Sequence, residues 1–419
     1  MVPGEEVAKM TGTVANVETL RQSDLVDLVA VLNTQRARAF DVVADARALA
    51  VTSGTRGIGF RLSGLDPLFS EDGLTNVNGL YRPTSVAEEG ISQKLDIPLQ
   101  YLRKMQSVEP DLARENVQTW LDRDDRKFLL RLFRSDDSDT GVMRAFLSDQ
   151  YRVIDNWDIL MAVLDGIKQA GIENPVIDAD LTDRRMIVRV VVPQIVVYAE
   201  KLLENYRSPF DGTDVGRGWT PQRLREIADA EGAGVSGKVV FAGFVFTNSE
   251  VGGGAFRITP RIVVEACNNG LQLTAESMAK THLGARLDGN GIVKWSEETL
   301  KANLDLVVSQ TKDAVTTFLD VDYVTAQVHK LESTASEQIT EPQAVITEVS
   351  RRIGFTQEQA NLILSHFIKG GQVTTGGVMQ AVTSAAQEIQ DGEVAWEMEK
   401  AGIAALNTAR EVNRQLVNR

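Results

Sequence analysis

The amino-acid sequence predicts an α+β fold in which an antiparallel, hairpin-rich central sheet packs on helices. Three observations predict it: mixed helical and strand patterns up to about residue 121, short apolar and β-branched runs between turn residues after residue 126, and helical periodicity after Trp295. Strands grouped in mid-chain with helices segregated after them are typical of α+β proteins. We therefore expect a mixed N-terminal region (1–121), an α+β core domain (122–332) and a helical C-terminal domain (343–419).

The N-terminal region combines predicted helices with one short strand and a long loop. A helix within 23–46 is opened by Ser23 or Asp24, both good helix caps, and Ala48–Val51 is expected to be a strand. A loop rich in Gly, Asp and Asn should extend to Thr84. Three helices are then predicted, the second introduced by a proline that costs no hydrogen bond in the first turn. These helices are Ser85–Leu95, Pro98–Met105 and Asn116–Leu121.

The core domain is predicted from runs that pair as hairpins. An acidic turn joins Lys127–Arg134 to Val142–Leu147, and a connection with three successive glycines joins Lys238–Thr247 to Ala255–Ala266. Between the two hairpins, β-branched residues predict a strand at Arg185–Val192, and an amphipathic pattern predicts a helix at Gln194–Tyr206.

The C-terminal part is predicted to be helical. Glu297–Leu319 has apolar residues at helical spacing, and Ser333–Pro342 is polar enough to be a linker. Four further helices are expected after the linker, separated by turns that contain glycine. They are Gln343–Ile353, Thr356–Phe367, Gly377–Gln390 and Glu393–Leu416. Apolar stripes on so many helices lead us to expect a homo-oligomer.

Composition and charge limit the function. Of the 419 residues, 43% are hydrophobic and 24% charged, as in a globular protein, and the formal net charge is −14. A nucleic-acid ligand would therefore require a local basic strip. One cysteine, Cys267, and three histidines exclude an internal disulfide and the usual Cys/His zinc site, and we expect no cofactor and no metal.

We expect a soluble, cytoplasmic protein with no membrane partner. No stretch approaches the roughly 18 to 20 consecutive apolar residues of a membrane span. The start, Met-Val-Pro-Gly-Glu-Glu, lacks the basic and apolar regions of a signal peptide.

The glycine pattern from Val51 to Gly59 looks like the nucleotide loop of short-chain dehydrogenases, but it is one residue short. Only Thr55 and Arg56 separate Gly54 from Gly57, and the residues that follow are too broken for the helix that receives a pyrophosphate. We interpret the segment as a plain glycine loop.

Basic residues alternate along the predicted strands, which points to nucleic acid. Arg185 and Arg189 fall on one face of their strand, and Lys127 and Arg131 fall on one face of theirs, because side chains alternate sides. Such rows could hold phosphates while a nearby aromatic ring stacks on a base. The alternative is that these arginines pair with the many nearby aspartates on a solvated face. The candidate nucleic-acid ligands are Lys127, Arg131, Arg144, Tyr151, Arg185 and Arg189.

Three segments together (100–121, 144–156 and 247–284) resemble the phage- and plasmid-like proteins grouped as domain of unknown function nine-three-two. The most specific parts are Arg-Ala-Phe-Leu-Ser-Asp-x-Tyr from Arg144, and Asn-Ser-Glu-x-Gly from Asn248 followed by Cys-x-Asn-Gly from Cys267. At the x position after the cysteine the family commonly has threonine, and this chain has Asn268. The resemblance implies a bacteriophage or other mobile-element origin and no established activity. The motif residues are Ser148, Asn248, Ser249, Glu250, Gly252, Asn269, Gly270 and His282, and several of them could line one groove.

These features favour a non-enzymatic phage protein that binds single-stranded DNA, of the annealing type used in recombination. The alternative is an acidic protein that occupies a host factor in an anti-defence role, which fits the net charge of −14 better. A third hypothesis is an enzyme that uses Glu250 and His282 as a proton-transfer pair.

Overall fold

The computed structural model describes residues 17–65, 68–70, 73–134, 140–151, 153–210, 221–230, 238–264, 269–273, 278–280 and 297–417. They form an α+β fold in which helices cover two large sheets. The strands are β1 Leu20–Ser23, β2 Ala39–Asp45, β3 Ala50–Gly54, β4 Gly57–Leu62, β5 Leu68–Ser70, β6 Gly73–Thr75, β7 Gly79–Pro83, β8 Lys127–Phe133, β9 Thr140–Ser148, β10 Val176–Leu181, β11 Met186–Tyr198, β12 Val239–Asn248, β13 Phe256–Val264, β14 Asn269–Gln272 and β15 Met278–Lys280. The helices are α1 Leu25–Arg38, α2 Ser85–Leu95, α3 Leu99–Val108, α4 Pro110–Arg123, α5 Asn156–Gln169, α6 Pro221–Ala230, α7 Glu297–Phe318, α8 Val321–Ala335, α9 Pro342–Ile353, α10 Gln357–Gly370, α11 Thr375–Ala385, α12 Gly392–Lys400 and α13 Gly402–Val417.

The N-terminal sheet has the strand order β2-β8-β9-β7-β4-β3 and is antiparallel except between β7 and β9. Apolar side chains of α2, α3 and α4 pack on one face around Phe60, Phe128 and Phe146. The hairpin of β8 and β9 forms as the sequence predicts. Helix α2 lies so close to β9 that a Cβ on Gly90 would be 2.4 Å from the Phe146 carbonyl oxygen. Glycine is therefore needed where the helix meets the strand.

The central sheet has the order β1-β10-β11-β12-β13-β14, with β15 also paired to β13. It is antiparallel throughout these pairings, and the predicted β12–β13 hairpin is confirmed. Side chains of α1, α5, α7 and α8 form the largest core with one face of this sheet. On the other face, Leu224 of α6 packs near Phe241, and Trp396 of α12 packs on Ile187 and Val245. Both faces are covered, which explains why β11 and β12 are almost continuously apolar.

A buried ionic network attaches the C-terminal helices to the central sheet. The Arg189 guanidinium on β11 is fully buried, 3.2 Å from Asp178 and 2.8 Å from Asp180 of β10, and 3.1 Å from Glu399 of α12. Arg21 of β1 binds the same Asp180 through both carboxylate oxygens at 2.9 Å. The predicted helical C-terminal domain is thus docked on the sheet.

Two secondary-structure predictions are wrong. The segment expected to be a loop up to Thr84 contains β4 to β7, where Gly59 lets β4 approach the Leu80 side chain on β7. The segment predicted as the Gln194–Tyr206 helix instead continues β11 to Tyr198, with an irregularity between Val192 and Val196. Its β-branched residues favour a strand, and the irregularity accommodates Pro193.

Other predictions differ in detail. The segment predicted as a linker, Ser333–Pro342, begins inside α8, and its Gln338 pairs with Thr374, so that it is packed against the C-terminal helices. The Val51–Gly59 segment is the β3–β4 hairpin, in which Gly54 pairs with Gly57 around a two-residue turn. The last predicted helix is divided into α12 and α13. No helix within the described parts of the chain has the length and apolar character needed to cross a membrane.

Candidate functional site

A β-bulge in β9 begins the site at the junction of the two sheets. Leu132 pairs with Met143 and Arg131 pairs with Ala145, so Arg144 is the extra residue. Bulges re-aim side chains and are common beside functional sites. The Arg144 guanidinium lies 4.0 Å from the centre of the Phe133 ring and donates to the Glu250 carboxylate in the β12–β13 connection. The bulge therefore links the N-terminal sheet to the central sheet.

Glu250 is the centre of this junction. Besides Arg144, its carboxylate accepts from the Asn156 backbone N–H at 3.0 Å and lies 3.8 Å from Arg131. Burial opposes ionisation, but the two guanidinium groups outweigh it and lower the pKa of Glu250 to about 2. A carboxylate this acidic is a poor proton acceptor near neutral pH. It acts as an anchor between two domains.

Arg131 completes what we call the junction cluster: Asp41, Arg131, Arg144, Asp155 and Glu250. Its guanidinium, 3% exposed, lies 3.0 Å from Asp41 and 2.6 Å from Asp155, and it donates to the Glu250 carbonyl at 2.8 Å. Burial disfavours the charged form of Arg131, but the attraction of the Asp155, Asp41 and Glu250 carboxylates is larger and raises the pKa of its guanidinium. The two buried guanidinium groups are thus paired with Glu250 inside the protein and with Asp41 and Asp155 at its edge, whose side chains are 35% and 47% exposed.

The other motif residues around Glu250 shape its loop. Asn248 donates from its amide to the Ile154 carbonyl at 3.0 Å and to the Asn156 side chain at 2.9 Å. Ser249 donates to the Arg184 carbonyl at 2.6 Å. Tyr151 donates to the Ser249 carbonyl at 3.2 Å, and burial raises the pKa of its hydroxyl. These bonds hold the β12–β13 connection against the end of β9.

A cleft of about 620 Å³ opens beside this loop, between α2, the end of β9 and the glycine loop Val251–Gly253. We call it the interdomain cleft. It brings together two of the motif residues, Ser148 and Gly252, with the candidate nucleic-acid ligand Tyr151. Gly252 has a φ of +90°, in the left-handed region that favours glycine. The α2 residues of the cleft, Glu89, Gln93 and Lys94, had no signal in the sequence because no motif marks them.

The prediction that the strand arginines form one phosphate-binding strip is wrong. Arg131 and Arg144 are in the junction cluster, and Arg189 is enclosed by three carboxylates on the far side of the central sheet from its main core. Arg185 is largely buried and lies 2.9 Å from Glu393. Only Lys127 is substantially exposed, 3.7 Å from Asp45. The alternative of pairing with carboxylates is correct, although these pairs are mostly buried and not on a solvated face.

The remaining predicted residues lie elsewhere. Asn269 and Gly270 begin β14, at the end of β13 far from the glycine loop, and a Cβ on Gly270 would be 1.7 Å from the Arg261 Nε. Gly270 therefore makes room for a buried guanidinium. His282 and Cys267 lie outside the described residues. Among the residues that are described, no group of three or more His, Cys, Asp or Glu side chains could hold a metal ion.

Comparison of the chain with protein-family models, with curated proteins and with solved structures finds no match. The resemblance to domain of unknown function nine-three-two therefore stays a prediction from the motifs in the sequence.

Proposed function

We propose that this protein is a non-enzymatic interaction protein that uses an acidic surface to bind a basic partner protein. The observation that carries the proposal is the internal neutralisation of Arg131, Arg144 and Arg189. These three arginines are removed from the surface on which a polyanion would bind. The predicted strands then offer no basic strip, while the chain as a whole carries a net charge of −14.

The acidic excess is concentrated in the C-terminal helices. Residues 297–417 contain 17 acidic and 9 basic side chains, a net charge of −8 out of −14 for the whole chain. Several of the carboxylates are exposed, on α7, α8 and α10. Examples are Asp305, Asp313, Asp322 and Glu358. Helices α7 and α8 pack on the central sheet and α12 is attached to it through Glu399, so that their exposed carboxylates are held at fixed positions to which a basic partner can be complementary.

The partner we propose is a host nucleic-acid-binding protein, such as a defence nuclease. Proteins of that class present basic surfaces to phosphates, and an acidic surface can occupy them. The mobile-element origin that the sequence motifs imply supplies the reason to act on a host factor.

The test is to capture partners from a nuclease-treated host lysate, purify the protein retained, and measure its affinity. We expect a basic protein whose affinity falls with rising salt, because exposed charges are screened. The quadruple variant Asp305→Asn, Asp313→Asn, Asp322→Asn and Glu358→Gln should weaken binding by tenfold or more.

A matched variant changes the net charge equally in the N-terminal region and directly after it, with Asp96→Asn, Glu109→Gln, Glu115→Gln and Asp125→Asn. These four residues are exposed, and the proposal expects them to leave the affinity nearly unchanged. If both variants weaken binding equally, or if neither does, the C-terminal helices are not the docking surface.

Single-stranded DNA binding and self-assembly stay predictions from the sequence. The DNA hypothesis lacks the strip on which it depended, and fluorescence anisotropy with an oligonucleotide at low salt tests it directly. Salt-sensitive binding there would favour DNA over a basic protein partner. A single monomeric mass by light scattering at micromolar concentration would contradict the predicted homo-oligomer.

A further inference from the structure

The two walls of the interdomain cleft are joined by hydrogen bonds that fix the distance between them. Arg184, in the turn before β11, binds Glu89 of α2 through two hydrogen bonds of 2.8 Å. One helical turn earlier, Ser85 donates to Asp183 at 2.7 Å. Helix α2 and the turn before β11 are thus held in fixed positions relative to each other. The volume of about 620 Å³ lies within the roughly 300–1,000 Å³ typical of small-molecule sites, which occur preferentially at domain interfaces.

Among the described charged side chains that line the cleft, one cation is not paired with a carboxylate. Arg184 lowers the pKa of Glu89 despite partial burial, so that both groups are charged and neutralise each other. Lys94 also lines the cleft, and its ammonium makes no ion pair with the described residues. The cleft therefore favours a ligand with one anionic group.

Two side-chain amides and an apolar floor provide the rest of the lining. Gln93 and Gln150 are exposed at its edge, and neither amide is bonded within the part of the chain that the structure describes. Each amide offers a donor and an acceptor side by side. Val86, Leu147 and Val251 form an apolar cluster beneath. Tyr151 adds an aromatic ring that its bond to Ser249 holds in position.

We propose that the interdomain cleft binds a nucleoside with a single terminal phosphate. Lys94 would bind the phosphate, Gln93 or Gln150 would bind an adjacent donor and acceptor of the base, such as N6 and N7 of adenine or N4 and N3 of cytosine, and Tyr151 with the apolar floor would contact the base. The same chemistry exists in free adenosine monophosphate and in the 5′-phosphorylated end of a DNA strand. The site is separate from the acidic helices, so it stands whether or not the proposed partner does.

The experiment is calorimetric titration of the full chain with adenosine monophosphate. We expect saturable 1:1 binding that is at least tenfold weaker for adenosine, which lacks the phosphate, and at least tenfold weaker for ribose 5-phosphate, which lacks the base. The variant Lys94→Gln should lose about tenfold in affinity for adenosine monophosphate and little for adenosine. The variant Gln150→Ala combined with Gln93→Ala should weaken the binding of adenosine monophosphate and leave that of ribose 5-phosphate nearly unchanged.

Matched controls are Lys104→Gln and Gln100→Ala, exposed residues of α3 that do not line the cleft. Their affinities should equal that of the wild type. A 5′-phosphorylated oligonucleotide that begins with adenosine distinguishes the two sources, since tighter binding of the oligonucleotide assigns the site to strand ends. No heat of binding at 5 mM adenosine monophosphate and none with the oligonucleotide, or affinities that the cleft variants leave unchanged, would overturn the proposal.

Discussion

Replacing Glu250 with glutamine keeps the shape of the side chain but removes the charge that the junction cluster needs. The carboxyl has a pKa of about 2 in the folded protein, against 4.5 as its ordinary value. A difference of this size corresponds to about 3 kcal/mol of stability at neutral pH. Removing one partner of a buried ion pair costs about 3–5 kcal/mol by mutagenesis, which agrees. We expect Glu250→Gln to lower the free energy of unfolding at pH 7 by about 3 kcal/mol.

The pH dependence follows from the sign of the pKa change. Because the folded pKa is depressed, the contribution of Glu250 is fully present above pH 4.5 and is lost as the pH falls toward 2. Urea unfolding of the wild type and the variant should therefore differ at pH 7 and converge between pH 4.5 and 2. Glu397→Gln is the control, since that side chain is 59% exposed and its pairing with Lys400 should contribute less than about 1 kcal/mol. A difference below about 1 kcal/mol at pH 7, or one that persists at low pH, would refute this account of Glu250.

Three further predictions concern other buried groups. Arg189→Gln should lower the free energy of unfolding by about 3–5 kcal/mol in urea titrations, because it leaves three buried carboxylates with one cation fewer, whereas Arg185→Gln should cost about 1 kcal/mol. Gly90→Ala should destabilise by about 1–3 kcal/mol because its Cβ would meet a backbone carbonyl of β9, while Gly54→Ala, with open space around it, should change the melting temperature little. Burial lowers the pKa of His366 from 6.5, so stability present above pH 6.5 should be lost as the pH falls below it, and thermal unfolding of His366→Gln between pH 7.5 and 5.5 should show a weaker pH dependence than the wild type.

The fold could be predicted where local signals suffice. Helix α2 has its predicted bounds because Thr84 caps it, its side chain accepting from the Ala87 N–H, and Asp96 ends it in a left-handed conformation. The hairpins of β8–β9 and β12–β13 follow from short runs joined by turn residues. The strands β4 to β7 could not be predicted because they are short and contain glycines, which are rare in strands. The structure shows that Gly59 is needed where β4 approaches β7.

The candidate site depends on contacts that sequence spacing does not encode. Arg144 and Glu250 are 106 residues apart, and the contact needs both a bulge in β9 and the approach of two sheets. The motifs predict that polar residues near positions 148 and 250 share a groove. They do not show which of these residues form the hydrogen bonds that fix the β12–β13 connection. The α2 residues that complete the interdomain cleft belong to no motif at all.

Arg189 shows how basic residues on a strand could be assigned before a structure exists. The β10–β11 hairpin closes between Leu181 and Met186, and counting back along both strands puts Asp178 opposite Arg189. Asp180 lies two residues from Asp178, on the same face, so that two carboxylates flank one guanidinium across the ladder. Cross-strand neighbours could thus have shown that this arginine is neutralised. The contact of Glu399 with it, 210 residues away, could not have been found by such counting, and that contact fixes the acidic helices to the sheet.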